Sequence, residues 1–205
     1  ILNISGMAIG MACAILILLW VNDEWSYDRH FDNADNIYRI IRTGNPFEEG
    51  GSPSVLTPGP LTNALKEKYP EIIRASRYVP GTLVSFKKGD EYIEENVSLV
   101  DKDFLKMFDI SLIRGNINNA FNEPRNMIIS EKIANKYFCD EDPVGKTLIM
   151  TELNLEFTIT GIIKKSYNSH LKFDLLIPVE FRGPMNNWMW FCYNYIELKE
   201  GTQSE

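Results

Sequence analysis

Histidine and cysteine, the side chains that most often bind metals or act as nucleophiles, are scarce in this chain. Its 205 residues include two histidines, His30 and His170, and three cysteines. Neither histidine belongs to a recognisable motif, and Cys139 and Cys192 lack a CxxC neighbour or a histidine at the spacing of zinc sites. The sequence does not decide whether Cys139 and Cys192 form a disulfide, because two cysteines define no pairing pattern. The sequence predicts no catalytic site, no metal site and no cofactor, so it is not expected to be an enzyme.

An excess of positive charge is also absent. The 21 lysines and arginines are outnumbered by 28 aspartates and glutamates, and the formal net charge is −7. Binding to nucleic acid requires concentrated positive charge that replaces the counterions of the phosphates. A nucleic-acid partner is therefore excluded, and the acidic balance is interpreted as a contribution to solubility.

One short motif, Gly145-Lys146-Thr147, resembles the end of a phosphate-binding loop. The full pattern requires a glycine where this chain has Asp140, and the three acids at 140–142 would repel phosphate. These acids also lack the alternating ligands and the central glycine of a calcium loop. The segment is therefore predicted to be a solvated turn that binds neither ATP nor calcium.

Charge is missing altogether from the first 22 residues, since the first charged side chain is Asp23. At about 1.5 Å per residue, such a helix reaches roughly 33 Å and can cross a hydrocarbon core of about 30 Å. Residues 1–22 are predicted to form a transmembrane helix, with Trp20 and Trp25 at the membrane interface and the acidic flank on the extracytoplasmic side. A secretory signal is the alternative, but the apolar run continues past the cleavage-like residues 10–13.

Small residues recur at every fourth position of this apolar segment. Gly6 and Gly10 form a GxxxG motif, and Ala14 extends it by one more step. One helix face therefore has almost no side-chain bulk, and a second membrane helix could pack closely against it. The alternative is that glycine and alanine are simply common in membrane helices.

The rest of the chain predicts an α+β domain, because helices and strands alternate without a strict βα repeat. Helices are expected at 61–69 and 131–138, the second capped by Ser130, and a shorter one at 102–108 capped by Asp101. Strands are expected at 37–41, 72–79, 83–86, 92–100, 148–150, 155–163, 173–178 and 193–198, with a hairpin turn at 88–90.

Four segments together resemble permeases of ABC transporters of the MacB/FtsX type. They are NISGMAIGMACAILILLWVNDEWSYDRHFDNADNIYRI, VSLVDKDFLKMFDISLIRGN, NMIISEKIANKYFCDEDPVGKTL and GIIKKSYNSHLKFDLLIP, and they occur in the order of that family over most of the chain. The resemblance implies that residues 23–205 are a MacB-like periplasmic core domain, truncated at its C-terminal end. It also implies a porter-like part with an inserted smaller subdomain.

The resemblance further implies a multi-pass protein of the bacterial cytoplasmic membrane, with residues 23–205 on the periplasmic side. ATP would be hydrolysed by a separate ABC ATPase subunit, and the permease would be a homo- or heterodimer in contact with membrane lipid. Its function would be to transmit ATPase-driven conformational change and so export or extract a substrate. The alternative is an FtsX-like signalling module that controls an envelope protein such as a cell-wall hydrolase.

The quoted segments contain residues that are expected to shape the fold rather than to contact a substrate. These are caps, turn residues and buried aromatics: Ser130, Asp142, Pro143, Gly145, His170, Phe173 and Asp174. One residue departs from the family pattern, since Cys139 stands where the family has a glycine after the helix. Glycine accepts a positive φ there more readily than cysteine does, which implies a cost of about 1 kcal/mol.

Overall fold

The structure, a computed structural model, describes residues 2–26, 33–44, 52–139, 141–164, 171, 173–183, 188 and 190–202. Its helices are α1 (Leu2–Ser26), α2 (Leu61–Lys68), α3 (Phe104–Met107) and α4 (Glu131–Phe138). Its strands are β1 (Ile37–Arg39), β2 (Thr57–Pro58), β3 (Ile72–Lys88), β4 (Glu91–Val100), β5 (Leu112–Gly115), β6 (Asn126–Ser130), β7 (Thr147–Met150), β8 (Leu155–Ile163), β9 (Leu175–Pro178) and β10 (Phe191–Leu198). The predicted α+β class is confirmed.

Helix α1 is one continuous helix of 25 residues. Within it, Ile4–Val21 is long and apolar enough to cross a membrane, and none of this window is buried inside the molecule. The helix continues to Ser26, so the predicted boundary after residue 22 falls inside it. The exact ends of the membrane-spanning part stay a prediction.

The strands of the described residues form one mixed sheet in the order β1-β10-β3-β4-β9-β6-β8-β5. Outside this order, β2 pairs with β10, and β7 pairs with β3 and β8. Neighbours are antiparallel except for the pairs β4–β9 and β6–β8. The long strand β3 holds this sheet together, because it pairs with β10, β4 and β7 along its length. The division into a porter-like part and an inserted subdomain stays a prediction.

A tight hairpin joins β3 to β4. Lys88 pairs with Glu91, which leaves a loop of Gly89 and Asp90, and Gly89 has a φ of +60°. Two-residue loops need positive φ, which explains the glycine. The segments predicted as separate strands, 72–79 and 83–86, belong to one strand whose pairing register shifts between Val79 and Thr82.

The core lies on both faces of the central strands. Along β6, Met127 and Ile129 belong to one buried cluster and Ile128 belongs to the other. Successive side chains of a strand point to opposite faces, so the two clusters lie on opposite sides of the sheet. We call them the α4-side core, which includes Ile133 of α4, and the α3-side core, which includes Phe104 of α3.

One predicted helix cap is wrong. The helix predicted at 102–108 is only the single turn of α3, and its N-cap residue Asp103 forms no side-chain capping bond. Asp101, the predicted cap, instead accepts hydrogen bonds from Arg77. By contrast, Ser130 caps α4 as predicted, because its Oγ accepts the Ile133 backbone N–H at 3.4 Å.

Candidate functional site

The surface of α1 is the first candidate site. Its large apolar side chains are mostly exposed, for example Ile4 at 76% and Trp20 at 66%. Gly6 and Gly10 have open space where a Cβ would lie, and Ala14 is exposed as well. Trp25 lies in the last turns of the helix, and its side chain is outside the described part of the chain. An exposed apolar helix of this length is typical of a segment that crosses a lipid bilayer.

Two of the residues that were expected to shape the fold, Ser130 and Asp174, contact each other. The Ser130 Oγ donates to Asp174 Oδ1 at 3.1 Å, and the Ser130 backbone N–H donates to the Asp174 carbonyl at 2.8 Å. Lys132 Nζ reaches Asp174 Oδ2 at 2.8 Å. The hydrogen bond to Asp174 raises the pKa of Lys132. These contacts fix the start of α4 against the start of β9.

Asp142, Pro143 and Gly145 form a second, separate group. The carboxylate of Asp142 accepts the Val144 backbone N–H at 3.1 Å and pairs with Arg114 at 2.6 Å. The hydrogen bond from Val144 is the main cause that lowers the pKa of Asp142. Gly145 has a φ of +86°, and its N–H donates to the Ile159 carbonyl at 2.8 Å. The group is a turn that leads into β7.

Lys146 does not have the surroundings of a phosphate-binding lysine. Its ammonium group pairs with Glu141, and its backbone N–H donates to the Pro143 carbonyl at 3.0 Å. The hydrogen bond from Lys146 is the main cause that lowers the pKa of Glu141. These contacts make the segment an exposed turn, as predicted, and the expectation that it binds no phosphate stays a prediction.

Phe173 takes part in neither of these groups of contacts. Phe173 packs on the α3-side core with its ring 6.0 Å from that of Phe104, in an edge-to-face arrangement. His170 lies outside the described residues. Within the part of the chain that the structure describes, no three histidine, cysteine, aspartate or glutamate side chains are grouped so that they could hold a metal ion.

A buried ion pair was missed by the sequence analysis. Arg77 and Asp101 are joined by bonds of 2.6 Å from Nη2 to Oδ1 and 2.9 Å from Nε to Oδ2. Both side chains are largely inaccessible, at 9% and 13% exposure. Burial alone would lower the pKa of Arg77, but the hydrogen bond and the charge of Asp101 outweigh it and raise the pKa. No local sequence pattern links residues on β3 and after β4.

A second buried polar group surrounds Asn194 on β10. Its amide nitrogen donates to Thr57 Oγ1 at 2.8 Å and to the Pro58 carbonyl at 3.1 Å, and its oxygen accepts a hydrogen bond from Thr62. These bonds attach β2 and α2 to the sheet. Cys192 lies beside them as a buried free thiol, and Cys139 is free and exposed. Burial raises the pKa of Cys192 to about 12, which makes it an unreactive thiol.

The end of α4 leads to a testable prediction about Cys139. This residue has a φ of +52° and a ψ of −115°, a conformation that is easy for glycine and strained for residues with a Cβ. Replacing Cys139 by Gly is therefore expected to raise the free energy of unfolding by about 1 kcal/mol. The measurement is thermal unfolding followed by circular dichroism. Cys139→Ala is the control, because it removes the thiol and keeps the Cβ; equal effects of both variants would contradict the strain.

Comparison with known proteins identifies the fold. The family model of the MacB-like periplasmic core domain matches residues 1–205. A domain assigned to a permease protein of Porphyromonas gingivalis has 26% sequence identity and a TM-score of 0.70, and the match covers 84% of this chain and 77% of that one. No relative was found among curated proteins.

Two further solved structures share the fold at lower identity. The periplasmic region of MacB from Actinobacillus actinomycetemcomitans has 15% identity and a TM-score of 0.60, with 82% of this chain and 77% of that chain covered. The extracellular domain of the noncanonic ABC-type transporter YknZ from Gram-positive bacteria has 15% identity and a TM-score of 0.57, with 81% and 85% covered. The chain therefore belongs to the MacB-like periplasmic core domain family, a component of ABC-type transporter permeases and not a catalytic domain, and one apolar helix precedes its mixed α/β part.

Proposed function

We propose that this chain is the first membrane span and the extracytoplasmic part of a permease that transmits ATPase-driven motion to export or extract a substrate. The observation that carries the proposal is the continuity of α1. Its candidate span ends at Val21, and the same helix continues to Ser26. Those five further residues extend the helix by about 7 Å toward the domain. A helix transmits displacement along its axis better than a flexible loop does.

The proposed position is across the bacterial cytoplasmic membrane, in a protein with further spans. The apolar surface of Ile4–Val21 supports the bilayer position of α1, and Trp20 and Trp25 would lie at the headgroup layer. Asp23 and Glu24 follow the span directly, which suits the extracytoplasmic side. Residues 23–205 would then lie outside the cytoplasm.

The open small-residue face of α1 supports close contact with another helix. Gly6 and Gly10 leave space within 4 Å of their missing Cβ positions, and Ala14 continues the same face. Backbones can approach closely where side chains are small, so van der Waals contact and weak hydrogen bonds stabilise the pair. The partner helix would belong to the same permease or to the second permease of a dimer. An ABC ATPase subunit would supply the hydrolysis of ATP.

The packing of the domain supports the proposal that it responds to this motion as a rigid unit. Its central strands are buried on both faces, and β3 pairs with three other strands. Close-packed interiors deform little and pass strain on to their neighbours. The contacts of Ser130 with Asp174 and of Arg77 with Asp101 connect parts of the chain that are distant in sequence.

A proline in the last turns of α1 should uncouple the domain from the membrane. Proline removes a backbone hydrogen bond of the helix and bends it, at a cost of about 3 kcal/mol. We expect Asn22→Pro to retain binding of the ATPase and to lose the effect of ATP on the domain. The measurement is hydrogen exchange of residues 33–202 in the ATPase complex in lipid nanodiscs, with and without a non-hydrolysable ATP analogue.

Asn22→Ala is the matched control, because alanine keeps the helix intact. ATP should change hydrogen exchange in the control as much as in the wild-type protein. An ATP response of the same size in Asn22→Pro and Asn22→Ala would refute transmission through α1. A complex that lacks any ATP response in the domain, even with the wild-type chain, would refute the transmission role altogether.

A further inference from the structure

An open groove lies along β3 at residues 82–84, on the strand edge with which neither β10 nor β7 pairs, and it faces the turn that joins β7 to β8. Its volume is about 530 Å³, within the roughly 300–1,000 Å³ that is usual for small-molecule sites. The floor is formed by side chains of the α4-side core, among them Leu99, Met150 and Ile177. The groove is therefore a recess into the apolar core and not a gap between polar loops.

Two leucines form the lips of the groove. Leu83 on β3 is 66% exposed, and Leu153 in the β7–β8 turn is 57% exposed. Exposed leucines are common singly, but here two of them flank an apolar recess. An apolar chain that entered it would remove the exposed side chains of Leu83 and Leu153 from water.

The two charged residues that line the groove differ in the contacts that they make within the protein. Arg182 lines the groove and forms no ion pair with any described residue. Glu152 also lines it, but its Oε1 accepts the Ser85 backbone N–H at 2.7 Å. That hydrogen bond is the main cause that lowers the pKa of Glu152. The cation is therefore available to a ligand, whereas the carboxylate is already held by the protein.

From this arrangement we infer that the groove binds a small amphipathic anion, whose alkyl chain lies between Leu83 and Leu153 and whose acidic head pairs with Arg182. A guanidinium group forms strong charge-assisted hydrogen bonds with a carboxylate or a sulfate. The apolar floor and lips stabilise the chain by removing its surface from water. The site belongs to the domain alone, so it does not depend on the proposed transmission of motion.

Photoaffinity labelling tests this site directly. The chain in lipid nanodiscs is irradiated with a dodecanoate that carries a diazirine at its tail, and the labelled peptides are identified by mass spectrometry. Peptides that contain residues 82–84, 150–153 or 177–182 should be labelled, and unlabelled dodecanoate should compete. Labelling of α1 by probe dissolved in the lipid gives an internal reference for each sample.

Two kinds of variant separate the chain from the head group. Leu83→Asp places a charge at the lip and should reduce groove labelling about tenfold, as should Leu153→Asp. Tyr92→Asp is the matched control, because Tyr92 is 68% exposed on the neighbouring strand and does not line the groove. Arg182→Gln should reduce labelling by dodecanoate about tenfold and should leave labelling by the corresponding dodecanol unchanged. An unchanged unfolding midpoint of each variant shows that the fold is retained.

Three results would overturn the assignment. The first is groove labelling no stronger than that of other domain peptides. The second is equal loss in Leu83→Asp and Tyr92→Asp, which would indicate a general effect of charge on the surface. The third is equal labelling by dodecanoate and dodecanol in the wild-type chain, which would exclude an anionic ligand.

Discussion

Replacing Asp101 by Asn is expected to lower the free energy of unfolding by about 3 kcal/mol or more. Asp101 accepts three N–H groups of Arg77, including its backbone N–H at 2.6 Å. An asparagine offers one acceptor oxygen, and its amide group would face a guanidinium donor. Removing one partner of a buried ion pair is costly because the other charge remains without compensation. The expected decrease in the midpoint of thermal unfolding is about 10 °C.

The control for this prediction lies two residues further along the chain. Asp103 pairs with Lys66 at 3.1 Å, with both side chains well exposed at 38% and 45%. Exposed ion pairs contribute little, so Asp103→Asn should change the free energy of unfolding by about 0.5 kcal/mol or less. Circular dichroism during heating, in mild detergent, measures both variants. Equal losses in the two variants would show that the Arg77–Asp101 pair has no special stabilising role.

Replacing Phe104 by Ala is expected to cost about 3–5 kcal/mol of stability. Phe104 is fully buried in the α3-side core, stacked on Tyr78 at 5.6 Å and tilted against Phe108 at 4.9 Å. The smaller side chain leaves a cavity that these rings can fill only in part. The variant therefore loses the free energy of burying the ring and also the contacts between the aromatic rings. The midpoint of thermal unfolding should fall accordingly.

Tyr92→Ala is the control for Phe104→Ala. Tyr92 is 68% exposed on β4, so its removal creates no cavity, and we expect a loss below about 1 kcal/mol. Near-ultraviolet circular dichroism would follow the loss of aromatic packing during heating. A Phe104→Ala protein that unfolds at the same temperature as Tyr92→Ala would contradict the packing of the α3-side core.

Local signals predicted the elements that depend on neighbouring residues. The β3–β4 hairpin followed from alternating strands around Gly89, and the start of α4 followed from the cap at Ser130. The central strand β6 was missed because its five residues are buried on both faces and show no alternation. Without alternation, a short apolar run cannot be distinguished from other buried segments. The edge strand β5 was missed as well.

The candidate sites likewise differ in whether a single segment of the sequence is enough to predict them. The apolar span and the small-residue face of α1 are periodic features of one segment, so the sequence predicted them directly. The Arg77–Asp101 pair joins β3 to the residue after β4, and Asp101 was assigned to a helix cap because only its local position was visible. The groove at Leu83, Leu153 and Arg182 combines three distant segments, and only the folded sheet brings them together.

Copurification tests the central claim most directly. The membrane protein that carries this chain would be isolated by affinity purification in mild detergent, and its partners would be identified by mass spectrometry and an ATPase assay. The account predicts a copurifying ABC ATPase subunit with measurable ATP hydrolysis, as expected for a permease of this family. Recovery of a cell-wall hydrolase or of no partner, without any ATPase, would contradict the transport role.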